Sequence, residues 1–184
     1  MSTVSDSIVS HALYWASPDP YRLQPEDFKT LFEYAGCEFM PTNAQIAGAL
    51  RQGSGIPMGS GKSRNKHWCG IFATAMLVYA GLDVRWSLTH GRIVVENKLQ
   101  VKFRPGSAID EIKAGDVAVI PRHEHHFLVR HVDRDSGVLL SVDGNQASKG
   151  ADGKTVGQLI MTRNRSLKAP LADERIKYFY AVMV

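Results

Sequence analysis

Cysteine is scarce in this chain. Cys37 and Cys69 are the only two among 184 residues. That is too few for a disulfide scaffold, so each thiol is read for its own chemistry. Long apolar runs are missing as well. None approaches the ~18 residues of a membrane-crossing helix, and no membrane association is expected. The opening stretch Met1-Ser2-Thr3-Val4-Ser5-Asp6 has neither a basic nor an apolar leader region, so no secretory signal is expected. Dense Lys/Arg runs are absent, which argues against nucleic acid as a partner. Neither H-E-x-x-H nor C-x-x-C occurs, so no metal and no cofactor are expected. The segment Gly53–Ser63 is rich in glycine but is not a phosphate loop. Ile56 stands where G-x-x-x-x-G-K-[ST] requires glycine, and no strand precedes it. It reads as a loop leading to Cys69.

What is present is an ordinary globular balance, 44% hydrophobic and 22% charged residues. One domain over residues 1–184 is expected, long enough to bury a core. The net charge of +4 and pI of about 9.1 suit an anionic substrate but decide little. No repeat or low-complexity tract divides the chain. Residues 1–60 read as a helical part and 61–184 as the core. Pro25-Glu26-Asp27 opens a helix that runs through Phe28, Leu31 and Phe32 to Gly36, with acids in its first turn. A second short helix is expected from Thr42 or Asn43 to Leu50. Residues 69–80 are apolar nearly all round, which predicts a buried helix stopped by Gly81. Strands are then expected at 92–95, 100–103, 116–120, 126–132, 138–142, 155–162 and 176–183. The turn-rich 133–137 makes a hairpin of the fourth and fifth. Helices first and antiparallel strands afterwards is an α+β pattern.

The chemistry concentrates on three places. Cys69 follows His67-Trp68 and starts the apolar helix. Unpaired N–H groups and the dipole there favour thiolate, the nucleophilic form. An inert buried cysteine is the plainer alternative. Downstream lies His123-Glu124-His125-His126, at the head of a strand. A histidine there can accept the thiol proton. His125 and His126 compete for this role, because strand neighbours point to opposite faces. His126 is preferred, since Phe127 and Val129 then share the other face and pack in the core. His123 and His125, on one strand face, form a weaker candidate for a metal pair. Third comes Val142-Asp143-Gly144-Asn145-Gln146. Asp143 and Asn145 are both candidates to orient the imidazole, although Asp-Gly-Asn is also plain turn chemistry. Among the remaining residues, Trp68 reads as a core or groove wall, His67 as exposed or lining the cleft, Asp116 as a turn anchor and Cys37 as structural. Tyr178, Phe179 and Tyr180 read as packing of the last strand.

Four pieces in order resemble the CHAP-type and related papain-like amidases of bacterial peptidoglycan. These are Trp68-Cys69 with its helix to Ala80-Gly81, Gly115-Asp116 before an apolar strand, His126-Phe127-Leu128-Val129, and Val142–Gln146. Leu128 departs from the small residue frequent in that family, and residues 1–60 match no part of it. The resemblance implies a papain-like α+β fold with N-terminal helices, a buried nucleophile helix and an antiparallel sheet. It implies a cysteine-dependent hydrolase that cuts a muramoyl–L-alanine amide or a peptide bond of the stem or crosslink. Cys69, His126, Asp143 and Asn145 would be its catalytic residues. The family's histidine position also favours His126, and the acid orients while the amide assists, or the reverse. An enzyme of this kind made in the cytoplasm without a signal would be a lysin or, preferably, a toxin delivered by type VI secretion into a rival's periplasm. An immunity protein would then be its partner. Two alternatives are a deamidase, transglutaminase or protease toxin acting on proteins, and a binding domain without catalysis.

Overall fold

The computed structural model describes residues 3–19, 21–52, 56–57, 65–66, 68–149 and 155–184. The helices come first. Helix α1 spans Val4–Trp15 and is capped reciprocally by Thr3 and Asp6, which satisfies N–H groups that the first turn leaves open. Helix α2, Pro25–Tyr34, has proline in its first turn, Glu26 and Asp27 beside it, and buries Phe28, Leu31 and Phe32. Helix α3 covers Asn43–Gln52. Helix α4, Cys69–Tyr79, is buried from Cys69 to Leu77. Gly81 follows with φ of +86°, the left-handed step that ends a helix at low cost.

The strands are β1 (Tyr21–Arg22), β2 (Ile56–Pro57), β3 (Asn65–Lys66), β4 (Val84–Ser87), β5 (Arg92–Val95) and β6 (Val101–Pro105). They continue with β7 (Val117–Ile120), β8 (His125–Asp133), β9 (Val138–Lys149), β10 (Thr155–Ser166) and β11 (Tyr178–Val182). Among the described residues, seven of them form one sheet in the order β1-β10-β9-β8-β7-β11-β6, while β2 pairs β3 and β4 pairs β5. Every described pairing is antiparallel. The protein is thus α+β with an antiparallel sheet, as its order of elements leads one to expect. The expected hairpin is there, with Asp133 opposite Val138. Strands β9 and β10 run beyond the expected ends, and α1 and β4 add to the expected elements. Of the expected loop at 53–65, Ile56–Pro57 and Asn65 belong to a small ladder. Its other residues, and His67, lie outside the described residues.

The sheet is buried on both faces. One face meets α4, which lies between the sheet and helices α1 and α2. Leu128 and Val142 join this larger core with Ile71, Phe72 and Met76. The other face carries Ala118, Phe127, Val129, Leu139 and Phe179, covered in part by Ile109, Ile112, Leu167 and Ile176. Asp116 ties the turn to the last strand. Its carboxylate accepts from the Lys113 and Val182 N–H groups, both at 2.9 Å, and burial pushes it up to about 6.

Candidate active site

Cys69 is the first residue of α4 and is 2% exposed. Its helix sits where it does because two glycines leave room for large aromatic side chains. A Cβ on Gly70 would fall 2.0 Å from the Trp86 ring, and one on Gly144 would fall 2.8 Å from Phe72 and 2.9 Å from Trp68. Gly144 therefore brings β9, and with it Asp143 and Asn145, onto the first turn of α4. Trp68 is fully buried in the larger core and donates through Nε1 to Gln158 Oε1 at 2.8 Å.

Strand β8 starts abruptly. Arg122–Glu124 form a 3₁₀ turn in which His123 and Glu124 have φ of +58° and +47°. The two-residue alternation that would place His123 and His125 on one strand face does not reach His123, so that pairing is corrected. From His126 to Val129 alternation holds. His126 and Leu128 face α4, while Phe127 and Val129 face the smaller core.

The structure puts His125, rather than His126, on the acid. His125 Nε2 lies 2.7 Å from Asp143 Oδ2. Asp143 has no exposed surface and is also held by the Ser141 hydroxyl and the Arg165 guanidinium. His126 turns the other way. Its Nδ1 lies 2.8 Å from the Glu124 carbonyl oxygen, and its ring stands edge-on to Trp86, centroids 5.0 Å apart. A carbonyl only accepts, so Nδ1 carries the proton. Among the described residues Nε2 of His126 is buried without a hydrogen bond.

A second correction concerns reach. Alternation led to the expectation that only one imidazole would approach Cys69. Both act on it. Burial alone would push the thiol up, but His125 and His126 outweigh burial and hold it well below its ordinary value. His125 opens its strand, so no preceding pleat confines its ring to one side. Burial would lower the His125 imidazole, yet Asp143 and Cys69 raise it to about 9. Asp143 is held below the usual carboxylate range because His125 and Arg165 overcome its burial. Together these shifts favour the thiolate–imidazolium form of the pair, with a buried carboxylate behind the ring. Cys37 behaves oppositely, its thiol pushed up to about 12 by burial and by Glu38.

Asp143 and Asn145 are both expected near the histidine, and the two reach the site in different ways. A bulge in β9 opposite Ile160 interrupts the ladder, and Asn145 has φ of +58°. Asp143 goes to His125, while Asn145 lines a cavity of about 500 Å³ together with Cys69, His125 and Gln146. Residues that motif reading passed over complete the surroundings. Arg165 stacks on Phe127, 4.1 Å from the ring centroid, while binding Asp143. Gln146 places Nε2 3.3 Å from His125 Nε2 and accepts from Arg163 at 2.9 Å through Oε1. Arg163 and Arg165, two apart on one strand, would have signalled a basic face. They were overlooked because the strand was expected to stop at Thr162.

Among the described residues no group of three His, Cys, Asp or Glu side chains is placed to hold a metal ion, and no helix is long and apolar enough to cross a membrane. No family model matches the chain, and neither a curated protein nor a solved structure matches it.

Proposed function

We propose that this protein is a papain-like cysteine amidase that cuts an amide bond in the peptide part of peptidoglycan. One observation carries the reading. A cysteine at the start of a buried helix lines one cavity with His125, whose imidazole a buried carboxylate holds from behind. That is the arrangement of an activated nucleophile with an oriented base. The peptidoglycan substrate rests on the four-piece sequence resemblance and the net positive charge.

The chemistry follows from the parts. Sγ of Cys69 attacks the amide carbonyl carbon. The ladder of α4 begins with the Phe72 N–H on the Trp68 carbonyl at 2.9 Å, which leaves the Cys69 N–H unused by the helix and available to the developing oxyanion. The C–N bond breaks as His125 passes its proton to the leaving amine. His125, neutral again, takes a proton from water. The hydroxide attacks the thioester, frees the new carboxylate and restores thiolate and imidazolium. Asp143 keeps the ring oriented through Nε2 while Nδ1 serves the reaction. Asn145, at the cavity wall, is placed to touch substrate. His126 also favours the thiolate.

Peptidoglycan lies outside the cytoplasm, so the reading includes action in the periplasm of a target bacterium, with an immunity protein as natural partner. Fusion to a periplasmic leader should make the protein lyse cells, and Cys69→Ala in the same fusion should not. Killing from the cytoplasm but not from the periplasm would point instead to a deamidase or protease acting on proteins.

A further inference from the structure

The cavity beside Cys69 has a charge that the proposed chemistry does not use. Its lining includes Arg122, Arg163 and Arg165 against one carboxylate among the described residues, Glu174. Pairing the charges locates the surplus. Arg165 is turned onto buried Asp143. Arg122 Nη1 lies 3.5 Å from Glu174. Cys69 and His125 cancel as thiolate and imidazolium. Arg163 is left, exposed at the wall. Its Nη1 donates to Gln146 Oε1 at 2.9 Å, and the Nε2 of that same amide lies 3.3 Å from the His125 ring. The same amide nitrogen donates to the Gly144 carbonyl at 3.3 Å, so one anchored side chain sets the guanidinium beside the reacting imidazole. An arginine has five N–H donors in a planar fork. With one of them on Gln146, the fork retains donors for a carboxylate, which arginine binds with two parallel bonds.

We propose that Arg163 forms a carboxylate-binding subsite, so that the substrates of Cys69 are acidic peptides with a free carboxylate next to the scissile amide. The proposal rests on the amidase reading for its substrate, but the subsite itself is open to a test that needs no hydrolysis. Iodoacetate and iodoacetamide deliver the same alkylating carbon with and without a carboxylate. Their rates at Cys69, followed by mass spectrometry of the modified peptide at neutral pH, give a ratio that senses positive charge at the site. Arg163→Gln should lower that ratio about three- to tenfold, as expected for a unit charge lost at several ångströms. Arg163→Lys, which keeps the charge, should stay within about twofold of the wild type. Arg163→Met repeats the test if the glutamine variant folds poorly. A ratio unchanged in the neutral variants overturns the subsite. Paired peptides, with the carboxylate next to the scissile bond free or amidated, form the second arm. Wild-type protein should prefer the free acid in kcat/KM, and Arg163→Gln should erase the preference through KM. Hydrolysis without preference, alongside an unmoved ratio, removes the subsite and leaves the amidase. A ratio that falls in a protein that cuts no peptide keeps the subsite and removes the amidase.

Discussion

The Nε2 nitrogen of His125 stands 2.7 Å from Oδ2 of Asp143. The contact joins the first residue of β8 to the middle of β9, one position beyond the Leu128–Val142 pair in the ladder on the β9 side. It leaves Nδ1 of the imidazole for the thiol and makes His125, not its neighbour, the ring that a carboxylate orients.

The two histidines should therefore separate on mutation. His125→Ala is expected to lower kcat about 10³-fold, within the range a positioned base supplies. His126→Gln should cost about tenfold, since it leaves the His125–Asp143 pair in place while removing one stabilising neighbour of the thiolate. Steady-state kinetics on a defined peptide decides this. A dead His126→Gln beside an active His125→Ala would reverse the assignment.

The reactive thiol should betray itself by its pH dependence. Cys69 is held well below its ordinary value, so alkylation by iodoacetamide should remain fast at pH values where a free thiol is protonated. His125 is raised to about 9. Hydrolysis should thus fall as pH rises through about 9, where the imidazolium loses the proton destined for the leaving amine. Cys37, pushed up to about 12, should stay unlabelled under the same conditions. Peptide mapping of the labelled protein tests all three. Equal labelling of both cysteines with an ordinary thiol profile would remove the ion pair.

Much of the scaffold could be read from the residues alone, and the reasons are local. The apolar run after Cys69 and the stop at Gly81 mark α4 without ambiguity, and the turn residues 133–137 mark the hairpin. The choice between His125 and His126 could not be read that way. It relied on one buried face of β8, whereas Leu128 packs under α4 and Phe127 and Val129 pack on the opposite side. With both faces buried, alternation no longer says which face holds the site. The turn at His123 and Glu124 was equally hidden, because both adopt positive φ without glycine. Arg165 escaped notice because β10 continues past its β-branched stretch, carried by pairing with β9 rather than by its own side chains.

Arg165 provides a stability test independent of catalysis. Its guanidinium neutralises Asp143, which has no exposed surface. Arg165→Met should destabilise the fold by about 3 kcal/mol, because it removes one of the two cationic partners of a buried carboxylate. The sign with pH follows from Asp143. Its folded-state value is depressed, so its contribution is present above the ordinary carboxylate range and lost as pH falls below about 4. Denaturant unfolding at neutral and acidic pH should show the gap between wild type and Arg165→Met narrowing in acid. A variant as stable as the wild type at neutral pH would mean that the pair adds nothing.

The central claim is that Cys69 hydrolyses an amide bond in peptidoglycan peptides. Its most direct test is to incubate purified peptidoglycan with the reduced protein and to identify the released fragments by mass spectrometry. The account predicts fragments with a new carboxylate and a new amine at one defined bond, each cut adding one water, and none from Cys69→Ala, since removing a nucleophile costs many orders of magnitude in rate. Intact peptidoglycan after treatment with protein whose Cys69 is readily alkylated would contradict it.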